Sequence, residues 1–134
     1  MTAEQIAKVP AENIHVSRAV FGQVWAYADE LATQPGPDDD YLVGVLWTCR
    51  WLSKQPVWSQ IFKRMEIPPS PITRRHYAAM PETIQDEFIA AARVGRLGQT
   101  GMMADLARGA LAALEWAWGG SGRPPLELPT AAAS

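Results

Sequence analysis

A chain of 134 residues with 48 % hydrophobic and 19 % charged residues has the make-up of one folded domain, which argues against general disorder and against any need for metal or disulfide to close a core. Its net charge of -2 selects no class of partner, and a single cysteine, Cys49, excludes an internal disulfide and fits a reducing compartment. No segment approaches the ~20 apolar residues of a membrane span, and residues 1–10, with Glu4 and Lys8, lack a secretory leader pattern. The expectation is therefore a cytoplasmic protein with no membrane partner. An excess of Arg over Lys, with abundant Ala, fits a GC-rich bacterial coding sequence.

The first predicted helix carries Ile14, Phe21, Val24, Trp25, Ala28, Leu31 and Ala32 on one stripe, with Asn13 or Ser17 as its cap. Gln34-Pro35-Gly36-Pro37 breaks the chain. Asp38, Asp39 and Asp40 then open a second helix, where carboxylates accept from free backbone N–H groups. Hard-cation binding by these three acids is the weaker reading, because the spaced calcium-loop pattern is missing. Leu42, Val45, Leu46, Cys49 and Leu52 line one face of this helix. Val43, Trp47 and Trp51 lie toward the other. So little polar surface is left that the helix is either central in a bundle or covered by another chain.

A short third helix is expected from Pro56 or Val57 to Met65, with Val57, Ile61 and Phe62 inward. Ile67-Pro68-Pro69-Ser70-Pro71 is a second break, extended or polyproline-like, and its PxxP match and a rigid spacer are equally good readings. Pro81 and Glu82 open a fourth helix, with Ile84, Phe88, Ala91 and Ala92 buried. The glycine-rich stretch 95–101 reads as a linker and only superficially as an anion nest. Thr100 caps a fifth helix with the stripe Met103, Leu106, Ala107, Ala110, Leu111, Leu114 and Trp118, ended by Gly119-Gly120. No convincing strand pair is visible. The expected fold class is all-α: a compact bundle of four to five helices over residues 1–118, with a flexible Gly/Pro-rich C-terminal tail over 119–134 that Leu126 and Leu128 could anchor.

The charge is unevenly placed. Residues 1–40 hold two basic against seven acidic residues, and 50–76 hold six basic against Glu66 alone. Three of the six tryptophans, Trp47, Trp51 and Trp58, interleave with Arg50 and Lys54 in that basic region. Trp and Arg are the residues most enriched at interface hot spots. These five are the expected contacts of a non-enzymatic interaction module, adaptor-like or inhibitor-like, that binds another protein and itself through a Trp-containing helix face.

Lys63, Arg64, Arg74, Arg75 and His76 form a second candidate set, for an anion or a nucleic-acid backbone. A third reading is a small-ligand or enzymatic pocket lined by Trp25, Trp47 and Met103, with His76 or Arg75 at its mouth. Catalytic signatures are missing: His15 and His76 have no triad-like neighbours, and no phosphate loop, zinc-protease or CxxC pattern occurs. No cofactor and no metal are expected, and no family motif is recognised.

Overall fold

The computed structural model describes residues 3–34, 39–96, 101–120 and 123–128. It is mostly helical, with five α-helices and one two-stranded sheet among the described residues. A one-turn helix α1 (Ala3–Ala7) and a 3-10 turn (Ala11–Asn13) precede the predicted elements. The first predicted helix is α2 (Arg18–Thr33), capped by Ser17, whose hydroxyl accepts from Val20 N at 3.1 Å. Ile14 is buried ahead of it, and Asn13 is no helix cap. Helix α3 (Asp40–Ser53) is capped by Asp39, which accepts from Leu42 N at 3.1 Å. The Gln34–Pro37 turn lies outside the described residues beyond Gln34, as does Asp38.

Helix α3 takes the central place. It packs most extensively on α5 (Met102–Ala117), and also on α2. Two glycines permit this approach: a Cβ on Gly44 would overlap the Leu106 carbonyl oxygen, and one on Gly109 would overlap that of Tyr41. Helix α4 (Pro81–Arg96) packs on the other side of α5. Phe21, Trp25, Trp51 and Trp116 fill the interior, with Phe21 and Trp116 stacked at 6.0 Å. On the second apolar side of α3, Trp51 is enclosed by its own chain, while Val43 and Trp47 are only half-buried. The expected cap Thr100 and most of the preceding linker lie outside the described residues, and Gly101 starts α5 without a side-chain cap.

The predicted third helix is corrected. Residues 57–66 form an antiparallel hairpin, β1 (Val57–Ser59) with β2 (Arg64–Glu66), in the register Trp58 opposite Met65. Lys54 ends α3 in the left-handed region at φ 57°, and Pro56 has no N–H to continue it. Lys63 turns the hairpin at φ 53°, and Ser59 Oγ accepts from Phe62 N at 3.1 Å.

The proline-rich spacer is also more than a connector. Pro68, Ser70, Pro71 and Ile72 are buried. Glu87 on α4 is fully buried and accepts from Ile72 N (2.7 Å), Thr73 N (3.0 Å), Thr73 Oγ1 (2.6 Å) and Tyr77 OH (3.2 Å). Asn13, equally buried, donates to Leu52 O at 2.9 Å and Ala79 O at 3.0 Å. It joins the N-terminal turn to both ends of the segment between α3 and α4. In the tail, Tyr41 OH donates to Pro125 O at 2.7 Å, and Leu126 and Leu128 pack against the core.

Candidate hairpin interface

The hairpin follows from a short alternation of strand-favouring residues between two turns. Because Trp58 faces Met65 across the ladder, the two side chains share one face, and Ile67, two residues beyond Met65, continues it. Among the described residues this face is left largely open. Trp58 is 53 % exposed, Ile61 85 %, Phe62 60 %, Met65 57 % and Ile67 51 %. Cations flank the apolar side chains. The Arg64 guanidinium lies 5.3 Å from the Phe62 ring centroid and its Nε is 2.9 Å from Glu66 Oε1. Lys63 is exposed at the tip, its Nζ 3.4 Å from Gln60 Oε1. Among the described residues no backbone–backbone hydrogen bond ties either strand to the rest of the fold.

Three concavities meet along this side. A groove of about 360 Å³ separates the hairpin from the helical body, with Trp58 and Met65 on one wall and Trp25, Asp29, Arg50 and Gln55 on the other. Met65 is shared with a shallower hollow of about 470 Å³ that also touches Phe62, Ile67 and His76. Arg50 is shared with a notch of about 120 Å³ beside Trp47, Pro68, Pro69 and Arg74. Arg50 Nη2 lies 3.2 Å from Asp29 Oδ1. Trp25 is 4 % exposed, and its indole N–H has no acceptor among the described residues.

The structure separates the predicted partner contacts. Trp58 stands in the open, and Arg50 joins groove and notch. Trp51 is 0 % exposed, its Nε1 donating to Tyr77 O at 3.0 Å, so it belongs to the core and not to an interface. Trp47 is half-buried beneath Arg74, whose guanidinium carbon lies 4.0 Å from its ring centroid. Lys54 is half-buried at the end of α3. Of the five expected contacts, only Trp58 is more exposed than buried, and it stands on the hairpin and not on the helix face.

The predicted anion set is dispersed. Lys63 and Arg64 sit on the hairpin and His76 lines the hollow next to it. Arg74 closes the notch, and Arg75 is exposed, with its backbone tied to Ser70. The expected pocket of Trp25, Trp47 and Met103 does not form: the first two line different concavities, and Met103 is 48 % exposed on α5.

Sequence reasoning missed Ile61 and Phe62, assigned inward on a helix, together with Met65 and Ile67. Their signal was an apolar run that no neighbouring stripe required. Burial pushes the Cys49 thiol up to about 12, assisted by Asp29 and opposed by Arg50. Burial also raises Tyr77, and it lowers Arg74, which Glu87 opposes. Among the described residues no group of three His, Cys, Asp or Glu is placed to hold a metal ion, and no helix is long and apolar enough to cross a membrane. The chain matches no protein-family model, no curated protein and no solved structure.

Proposed function

We propose that this chain is a non-enzymatic interaction module that docks a partner protein on the β1–β2 hairpin and the groove behind it. The observation that carries the proposal is the set of five large apolar side chains, Trp58, Ile61, Phe62, Met65 and Ile67, held exposed on one small element. Monomeric proteins rarely leave an apolar patch of more than a few hundred Å² open, and a patch rimmed by polar residues marks an interaction site. The rim here is polar, with Lys63 at the tip and Arg64 paired to Glu66, two cations to one acid. An isologous pairing of two hairpins would bring Lys63 and Arg64 of both copies together, which costs affinity. A partner with an acidic rim therefore fits better than a second copy. Self-association remains the variant in which another surface is used.

The proposal is tested with a photo-crosslinking residue at position 61 in the full chain, with position 115 on the exposed side of α5 as control. A partner crosslinks at 61 and not at 115, and Trp58→Ser/Phe62→Ser abolishes the product while leaving the melting curve unchanged. Equal crosslinking at both positions, or products indifferent to the double substitution, overturns it. Light scattering on the same samples reads self-association directly.

The exposed aromatic rings beside Lys63 and Arg64 also favour a second reading, a stacking platform for single-stranded nucleic acid. It requires binding that weakens steeply with salt. Affinity flat between low and moderate ionic strength eliminates it.

A further inference from the structure

Arg74 holds a backbone conformation that a residue with a side chain adopts reluctantly, at φ 56°. A dedicated framework keeps it there. Arg74 N donates to Ser70 O (3.1 Å), Ser70 N to Arg75 O (2.9 Å), and Arg75 N to Ser70 Oγ (2.9 Å). The adjoining N–H groups of Ile72 and Thr73 are held by buried Glu87. This turn delivers a guanidinium onto the face of Trp47, 4.0 Å from the ring centroid. A guanidinium carries five N–H donors, and among the described residues Arg74 uses none of them in a hydrogen bond. The notch beneath it is walled by Trp47, Pro68, Pro69 and a second guanidinium residue, Arg50.

We propose that this notch is an oxyanion site, which takes a carboxylate or phosphoryl group between Arg50 and Arg74 with Trp47 as its side wall. Two planar forks suit the paired oxygens of such groups, and stacking on an indole fixes one fork in advance. An incoming anion would share the two guanidiniums with nearby carboxylates, Asp29 beside Arg50 and Glu87 acting on Arg74. Asp29 engages Arg50 through one nitrogen at 3.2 Å, and the Glu87 oxygens are already occupied by Ile72, Thr73 and Tyr77. Desolvation lowers the Arg74 pKa although the residue is exposed, so some hydration is already lost where an anion would sit. A volume of about 120 Å³ admits one small head group and not a nucleoside. The site stands independently of the hairpin reading. If both hold, a docked segment sets its apolar side chains on Trp58 and Met65 and an acidic group in the notch, with Arg50 the residue common to groove and notch.

The test is NMR titration of the isotope-labelled full chain with sodium phosphate and, separately, sodium acetate, each against sodium chloride at matched ionic strength. The Trp47 indole N–H and the Arg74 Nε–H shift saturably, with a Kd of about 1 mM. The arm with the tighter response identifies the head group. Arg74→Lys keeps the charge but loses the planar stack and weakens binding about fivefold or more, and Arg50→Lys does the same. Trp58→Ser/Phe62→Ser leaves these shifts unchanged, so a failure of the hairpin reading is told apart from a failure of the anion site. Identical shifts with chloride, wild-type affinity in both lysine variants, or shifts confined to Lys63, Arg64 and Arg75 overturn the proposal.

Discussion

Substituting alanine for Gly109 tests the central packing of the fold. A Cβ at Gly109 would overlap the Tyr41 carbonyl oxygen, with the Tyr41 carbonyl carbon next at 2.9 Å. Both are backbone atoms, so no rotamer change relieves the clash. Helices α3 and α5 must part by on the order of 1 Å, and a gap of that size forfeits a quarter to a half of each dispersion contact across it. The affected seam includes Val45, Leu106, Ala107, Ala110 and Leu114, all buried. Overpacking of this kind costs about 1–3 kcal/mol, occasionally more, and the better helix propensity of alanine returns about 1 kcal/mol. Because backbone cannot yield locally, the cost falls at or above the upper end of that range, and net destabilisation is about 2 kcal/mol or more.

Gly44→Ala meets the Leu106 carbonyl oxygen and should cost a similar amount. The two glycines act on one seam, so the double substitution costs less than the sum of the singles. Urea denaturation followed by circular dichroism measures all three. Gly22→Ala is the control: its Cβ meets only the side chain of Ile6, which can turn away, and stability should change little. A Gly109→Ala protein as stable as wild type, or strict additivity in the double variant, would refute the close crossing of α3 and α5.

Glu87→Ala leaves the buried N–H of Ile72 and the part-buried N–H of Thr73 without their acceptor. It should cost about 3 kcal/mol or more and loosen the 70–77 turn, seen as lost amide-exchange protection at Ile72 and Thr73. Asn13→Ala removes both donors to Leu52 O and Ala79 O and should cost about 1–3 kcal/mol in the same denaturation assay. Cys49 has its pKa raised from 9.0 to about 12 by burial. The unfolded thiol therefore loses its proton first, and the contribution to stability is complete below pH 9 and is lost as pH rises toward 12. At pH 8 a disulfide-exchange reagent should leave native Cys49 unreacted and label it at once in denaturant. Rapid native labelling would place the thiol at the surface.

The legible part of the fold was the part governed by long helical stripes. Phe21, Val24, Trp25 and Ala28 on α2, and Leu42, Val45, Leu46, Cys49 and Leu52 on α3, are buried as their spacing requires. The hairpin was illegible for a specific reason. Trp58, Ile61, Phe62 and Met65 recur at i, i+3, i+4 and i+7, the helical rule itself, while the strands are only three residues long and no Asn-Gly turn announces them. Only Pro56 hinted otherwise, because the left-handed backbone at Lys54 and Lys63 leaves no mark in residue type. Glu87 lies on the same stripe as Ile84 and Ala91, and an acid there is a signal of buried work that periodicity alone passes over. Trp51 was correctly placed on an apolar helix side, but spacing does not say whether its own chain or another covers it.

The buried polar groups explain why the hairpin face is presented at all. A two-stranded hairpin has little stability of its own, and here its side chains contribute little to the core. Its base is fixed from below. Asn13 holds Leu52 and Ala79, the Trp51 indole holds Tyr77, and Glu87 holds Ile72 and Thr73. Each of these bonds orders backbone on one side of the hairpin or the other, in a segment that a mere connector would leave to solvent. Ordering this base in advance would lower the entropic cost of the proposed docking, as preorganised sites do. The same bonds carry Arg74 to Trp47 at one end of the groove and set the Trp58–Met65 pair at its side. One framework thus positions an apolar ledge and a cationic notch together, and this joint placement is the strongest physical reason to look for a single partner that is both greasy and acidic.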